Sequence, residues 1–427
     1  MIVEAVPTRE VALERLFAPV STPAFLGEYW EAQPLFIARD DKSYFKALFS
    51  LDAFDDLMAR ADLWHPNVRV FLAGEQLPHD RYSRRWAYGR EVHDRLIDVD
   101  KLAELFRRGA TINVLGLERT DSAVMDWSKE LEVQAGFPVH TTAFLSPPSA
   151  VNVPPHFDMT DVIVAQVHGS KVWNVWQPTR AMPLVTDTAR RLYGHGNEVV
   201  SEDMRVGRYE LRAGDSLYVP RGFLHEAITT TESSLHLAFG INVHRWYDVL
   251  EEAANRAIAA VTQQAVYRKA LPVRRRGEPP APAAAVRDVL RAIETDLQIH
   301  LASGLGEALH TVDSRYLGSR APARPGQLVD SQGADGLTSE DMLVRRPRLA
   351  FGIDRVAGRL RLVFHRKQLS LGPELEAALR YSASGEPFRV SDLPDLSADQ
   401  QLAFARSLVR EGFLSIIPGP ASTQSPN

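Results

Sequence analysis

The chain has 427 residues, 45% hydrophobic and 24% charged, with a formal net charge of -5, an ordinary balance for a soluble globular protein. It contains no cysteine, which excludes disulfides, thiolate zinc sites and cysteine nucleophiles and leaves His, Asp and Glu to hold any metal. The acidic balance gives no global reason to expect nucleic-acid binding, and the length suits two or three domains.

The start, Met1 to Glu10, lacks the basic and apolar regions of a signal peptide. No stretch approaches the ~20 apolar residues of a membrane span. A soluble cytoplasmic protein without membrane partners is expected.

Residues 1 to about 110 read mainly as helices, with Leu51-Asp-Ala-Phe-Asp-Asp-Leu-Met58 at helical spacing. From about 111 to 245 the pattern changes to short β-rich runs. Thr111–Gly116, Thr142–Leu145, Val162–Val167, Val172–Trp176 and Ser216–Val219 are strand candidates, punctuated by His168-Gly-Ser170 and Arg212-Ala-Gly-Asp215. Many short strands with such turns suggest a jelly roll or barrel rather than a parallel α/β sheet.

After Trp246 the pattern turns helical. One predicted stripe holds Leu250, Ala254, Ala257, Ile258, Val261 and Ala265; a second holds Val286, Val289, Leu290, Ile293, Leu297 and Leu301. Prolines place a loop at Arg274–Pro282. Such stripes need covering, by the barrel or by a second subunit. Gly304 to about Ser339 reads as loop-rich. Residues 340–420 read as a small α+β unit, with a helix from Leu371 to Leu379, a helix N-capped by Ser397 and a strand at Gly412–Ile417. The tail, 421–427, is expected to be disordered.

The chemistry gathers in Val153-Pro-Pro-His-Phe-Asp158. On a strand, residues two apart face the same side, so His156 and Asp158 can reach one metal ion; an ordinary hydrogen-bonded pair would look the same. Tyr218-Val-Pro-Arg-Gly-Phe-Leu-His225 adds a second histidine at the end of a strand and turn. Two histidines and one carboxylate on a β-scaffold form the facial triad of non-haem Fe(II) oxygenases, with positions left open for a co-substrate and O₂. Lys171 is either a solvated hairpin residue or an inward cation. An inward ammonium would pair with the distal carboxylate of 2-oxoglutarate.

These segments resemble the JmjC-type ribosomal oxygenases, cupin-like protein hydroxylases. The resemblance rests on Phe144-Leu-Ser-Pro-Pro148, Pro155-His-Phe-Asp158, Gln166-Val-His-Gly-Ser-Lys-Val-Trp173, Leu211–His225, Ser234-Leu-His-Leu237 and Tyr29–Ile37. It implies an α+β protein: a double-stranded β-helix (jelly-roll, cupin-like JmjC) core with a helical N-terminal part over 1–245, a helical dimerisation region and linker over 246–339, and a winged-helix-like domain over 340–420. It further implies His156, Asp158 and His225 as Fe(II) ligands, Lys171 as the 2-oxoglutarate anchor and a homodimer. The implied activity is hydroxylation of a side chain in a protein or peptide, a ribosomal protein among them, with oxidation of 2-oxoglutarate to succinate.

The match has departures. Thr142 and Phe144 stand where the family usually has asparagine and tyrosine, and Ala238-Phe-Gly-Ile241 follows Ser-Leu-His-Leu where hydroxyl-bearing residues are usual. Such losses change which polar group a pocket satisfies. Hydroxylation of a free amino acid or natural-product molecule therefore stays open, as does a non-catalytic cupin-like binding protein that recognises a nucleic acid or a partner through its winged-helix-like end. Thr142, Asn174 and His236 are further candidates for co-substrate contact, with core packing the alternative for His236 and for Trp173 and Trp176. The stretch 341–370 carries eight Lys/Arg against two acids; a solvated or docking face is favoured there over nucleic acid.

Overall fold

The computed structural model describes residues 12–60, 63–150, 153–184, 200–270, 283–319 and 325–418. Two compact units divide the chain, one ending at Val243 and one beginning at His244.

The described strands of the first unit, in chain order, are β1 (Leu35–Ile37), β2 (Val68–Leu72), β3 (Glu75–Gln76), β4 (Ser83–Tyr88), β5 (Glu91–Ile97), β6 (Thr111–Leu115), β7 (Val139–Ser146), β8 (Asp161–His168), β9 (Ser170–Trp176), β10 (Arg205–Arg212), β11 (Ser216–Val219), β12 (Leu224–Thr229) and β13 (Ser234–Ile241). A large sheet runs β1-β11-β8-β13-β7-β6-β2-β3 and a small one β10-β9-β12. The pairings within both sheets are antiparallel. The β4–β5 ribbon is a separate two-stranded sheet, bridged to the chain before it at Trp64–Leu96.

The large sheet is buried on both sides. Val162 and Val164 of β8 pack with Trp173, Val175 and Leu217 of the jelly-roll interior. Ile163 and Ala165, one residue out of phase, join a second core with residues such as Leu13, Phe54 and Leu131. These come from helices at Ala12–Phe17, Leu51–Arg60 and Ser122–Ala135. A strand covered on two faces needs no polar alternation, which is why β8 reads as a continuous apolar run. Gly169 closes the β8–β9 turn at φ +62°, and a Cβ there would lie 1.8 Å from the Ser233 carbonyl oxygen. Only glycine fits that turn.

Each strand candidate named above overlaps a strand, although the last is shortened to Leu414–Ile416, with Gly412 ending the preceding helix. The mainly helical reading of residues 1–110 needs correction, because β1 to β5 fall there. These strands are short or exposed, and β4–β5 shows no buried alternation for a sequence pattern to reveal.

The second unit opens with helices Trp246–Val261 and Ala283–Ser319. They pack through Val249, Ala253, Ala308 and Val312. The predicted stripe is therefore rotated: Ala257 and Val261 are buried, but Leu250 and Ile258 are exposed. The predicted loop from Gly304 is helix as far as Ser319, followed by a short helix at Gln327–Gly333; isolated glycines weaken a helix without ending it. Arg274–Pro282, the side chain of Val286 and the tail 421–427 lie outside the described residues.

The rest forms two three-stranded sheets, from β14 (Met342–Arg345), β15 (Phe351–Val356), β16 (Arg359–Phe364), β17 (Lys367–Leu371), β18 (Phe388–Arg389) and β19 (Leu414–Ile416), in orders β18-β14-β19 and β15-β16-β17. The predicted helix start at Leu371 shifts: Leu371 ends β17, and the helix runs Glu376–Ser382 after a Pro373–Leu375 turn. Ser397 caps helix Ala398–Glu411, its hydroxyl accepting from the Gln400 N–H. The core comes from residues such as Leu343, Phe364, Leu379, Leu408 and Phe413.

Candidate metal centre

His156 and His225 face each other across an antiparallel bridge on the edge of β12. Their backbones exchange two hydrogen bonds, His156 N–H to the His225 carbonyl (3.1 Å) and His225 N–H to the His156 carbonyl (2.7 Å). Each ring is fixed the same way. Nδ1 of His156 lies 3.0 Å from the Pro154 carbonyl, and Nδ1 of His225 lies 3.1 Å from the Phe223 carbonyl. A carbonyl only accepts, so Nδ1 carries the proton and Nε2 keeps its lone pair, the tautomer a metal needs.

The ring centroids are 4.5 Å apart, and an Asp158 carboxylate oxygen lies 3.6 Å from His225 Nε2. One donor atom from each of His156, Asp158 and His225 falls within 4.8 Å of the others. Burial and the neighbouring His225 hold His156 well below the ordinary imidazole range, so it stays neutral and able to ligate near pH 7.

The two loops carrying these donors are tied together. The Gly222 N–H donates to the Asp158 carbonyl (3.0 Å). Gly222 takes φ +88°, and a Cβ would meet Pro183 at 2.7 Å. Asp161 is fully buried beneath both loops, accepting from the Tyr218 hydroxyl (2.6 Å) and the Arg221 backbone N–H (3.3 Å). The Arg221 side chain reaches Glu31. Burial pushes the Asp161 carboxyl up to about 6 despite Tyr218 and Arg221.

Deeper in the jelly roll, Lys171 points inward. Its ammonium is fully buried and donates to the Ser146 hydroxyl (3.0 Å), which also accepts from Thr111 (3.0 Å). No carboxylate pairs with it among the described residues, and burial pushes its pKa down to about 7. His236 stacks on Phe144 at 4.8 Å, and Trp173 lies edge-on to His236 and tilted against His225. Burial, and secondarily Lys171, hold His236 well below its usual value, and its buried Nδ1 has no hydrogen-bond partner among the described residues. Thr142 shares the inward row of β7 with Phe144 and Ser146, opposite Ala238.

Asn174 is not brought to this group. It lies one residue out of phase with Lys171 and Trp173, and its amide donates to Glu226 (2.9 Å) on the neighbouring strand. The sequence reading also overlooked Ser146, Asp161, Arg221 and Glu31. Ser146 was visible only as the second residue of Leu-Ser-Pro-Pro, and the long reach from Glu31 to Arg221 leaves no local signal.

Residues 121–249 match the family model described as the JmjC domain. The chain is similar to ribosomal oxygenase 1 of Gallus gallus, 27% identical over 267 residues, covering 60% of this chain and 41% of that protein. It is similar to ribosomal oxygenase 2 of Mus musculus, 26% identical over 263 residues, covering 59% and 52%. The chain thus spans about half the length of the curated relatives it matches. Among solved structures, the Escherichia coli ribosomal oxygenase YcfD aligns over 93% of this chain and 98% of that one, with a TM-score of 0.52 and 17% identity, which shows a shared fold. The double-stranded β-helix holding the triad is a JmjC domain. The likeness to the ribosomal oxygenases extends over about 60% of the chain.

Proposed function

We propose that the chain is an Fe(II)- and 2-oxoglutarate-dependent oxygenase that hydroxylates an amino-acid side chain of a protein or peptide, with a ribosomal protein as the first candidate substrate. The observation that carries this is the conjunction of three metal-ready donors with a buried ammonium that has no carboxylate partner among the described residues. His156, Asp158 and His225 would hold the iron; iron with 2-oxoglutarate supplies oxygen activation coupled to decarboxylation of the co-substrate.

The chain's own residues then have distinct tasks. The two bound Nδ1 atoms keep both imidazoles aimed. Lys171 takes the distal carboxylate of 2-oxoglutarate as a charge-assisted hydrogen bond, and Ser146 orients the ammonium. His236, Thr142 and Phe144 line the interior beside it. Trp173 and Phe144 exclude water, which strengthens the ionic contact. Asn174 bonded to Glu226 is the weakest candidate for co-substrate contact.

The second unit supports a homodimer in this reading. Its helix pair leaves Trp246, Leu250, Ile258, Leu290 and Ile299 exposed, apolar side chains that a second copy could cover. The α+β end would be the winged-helix-like domain, and the setting cytoplasmic.

The test is succinate release with ferrous iron, 2-oxoglutarate and ribosomal-protein peptides, followed by mass spectrometry for a one-oxygen gain. A gain on a peptide supports the proposal. A gain confined to free amino acids or small metabolites assigns the site to another substrate, and metal binding without turnover on any of them leaves a cupin-like binding protein.

A further inference from the structure

We propose that the β4–β5 ribbon is a binding site for single-stranded nucleic acid, a function separate from the jelly-roll interior. The ribbon is a two-stranded sheet of its own. One of its faces carries a tier of rings. Trp86 and Tyr88, two residues apart on β4, lie nearly parallel at 5.8 Å and 7°. Across the ribbon Trp86 pairs with His93, whose ring lies 6.4 Å away at 30°, and Trp64 closes the tier edge-on to His93 at 5.0 Å. The outer end is open: Tyr88 is 73% exposed.

Cations flank the rings along the chain. Arg84, Arg85 and Arg90 occupy β4 and the turn, with no carboxylate between Ser83 and Arg90. All three are exposed, and none forms an ion pair among the described residues. The acids of β5 have neighbours of their own, Glu91 beside His93 and Asp94 beside Arg95, each at 3.8 Å. Flat rings at an open end, with exposed arginines before and after them on the same ribbon, match the two demands of a single strand. Unstacked bases need π-faces, and phosphates need cations. An acidic peptide would use the arginines but leave the rings without a role.

The basic stretch 341–370, the more obvious candidate from sequence, is largely occupied within its own unit. Arg345 and Arg346 are buried, Arg361 holds Asp354, Arg355 holds Glu376 and Lys367 holds Glu411. Counting charges along the chain points to that stretch; asking which charges are unpaired points to the ribbon.

The test is fluorescence anisotropy of labelled oligouridylate and oligothymidylate with the full chain, over a salt series. The expected affinity near physiological salt is roughly 10⁻⁴–10⁻⁶ M, tightening as salt falls. Trp86→Ala with Tyr88→Ala weakens binding about tenfold or more, because each stacked base is lost, whereas Trp86→Phe with Tyr88→Phe retains it and controls for folding. Replacing Arg84, Arg85 and Arg90 with Ala lowers the slope of log K against log salt by about 2, three phosphate contacts at about 0.7 each. A preference for either oligomer identifies the natural source. The proposal is overturned if neither binds at low salt, or if the variants bind as the parent does. It is equally overturned if a glutamate-rich peptide binds more tightly than both, dependent on the arginines and indifferent to the rings.

Discussion

Two buried cations, one in each unit, are treated in opposite ways. In the second unit Arg346 meets Asp330 at 2.5 Å and donates to the carbonyls of Pro325 (2.5 Å) and Leu414 (3.4 Å). In the first unit Lys171 is just as deeply buried but meets only a hydroxyl. A buried charge is tolerated when an opposite charge accompanies it and is costly when none does. The arginine completes its own surroundings. The lysine is left for an anion that arrives from outside.

The largest effect separates the metal triad from everything else. Asp158→Ala or His225→Ala should cut ferrous-ion binding and succinate release at least about a hundredfold, more than loss of an outer hydrogen-bond partner. Titration with Fe(II) or Co(II) followed by optical spectroscopy measures it, and an active variant would remove the assigned centre.

The two buried cations should then diverge. Arg346→Met strands Asp330 and should destabilise the second unit by about 3–5 kcal/mol, with the 2-oxoglutarate requirement unchanged. Lys171→Met should stabilise the ligand-free protein by about 1–3 kcal/mol at pH 8, since it removes a desolvated amine, while raising the 2-oxoglutarate requirement roughly 10–100-fold. Denaturant melts and co-substrate titrations on both variants decide the matter. A destabilised Lys171→Met protein with normal co-substrate affinity would contradict the anchoring role.

A pH series sharpens the same contrast. The Lys171 pKa falls from 10.5 unfolded to about 7 folded. Between those values the unfolded chain binds the extra proton, so its contribution to stability improves as pH rises from about 7 to 10.5 and is least favourable below 7. Co-substrate affinity runs the other way, because the distal carboxylate needs the protonated form. Its dissociation constant should rise above pH 7 by up to about tenfold per unit, and this dependence should vanish in Lys171→Met.

Smaller effects belong to the supports. Asp161→Asn removes the carboxylate that accepts from Tyr218 and Arg221, ahead of the His225 turn, and should weaken metal binding by about tenfold, read by the same titration. Ser397→Ala should cost about 1 kcal/mol through the lost N-cap, lowering the melting midpoint of the second unit with no change in turnover.

Much of the site was legible because its chemistry is local. His156 and Asp158 are two residues apart, and Lys171 and His225 sit beside turns that the sequence marks clearly. The strands of the jelly roll were legible for a similar reason, since β8, β9 and β11 are short apolar runs between glycine-bearing turns. The helix faces were not. Leu250 and Val249 are adjacent and equally apolar, and only the partner helix decides which is covered.

What the amino-acid order alone determined is the set of chemical groups: a chain without thiols, a His-x-Asp pair, a second histidine after a Pro/Gly turn, and a lysine at a strand start. What the tertiary structure decided is which of these share a space and which charges find partners. Register across β12 brings His156 to His225, the two-residue alternation of β9 turns Lys171 inward and Asn174 away, and packing buries the Lys171 ammonium without a carboxylate partner among the described residues. Those outcomes depend on distances between residues far apart in the chain, and such distances exist only once the sheets have closed.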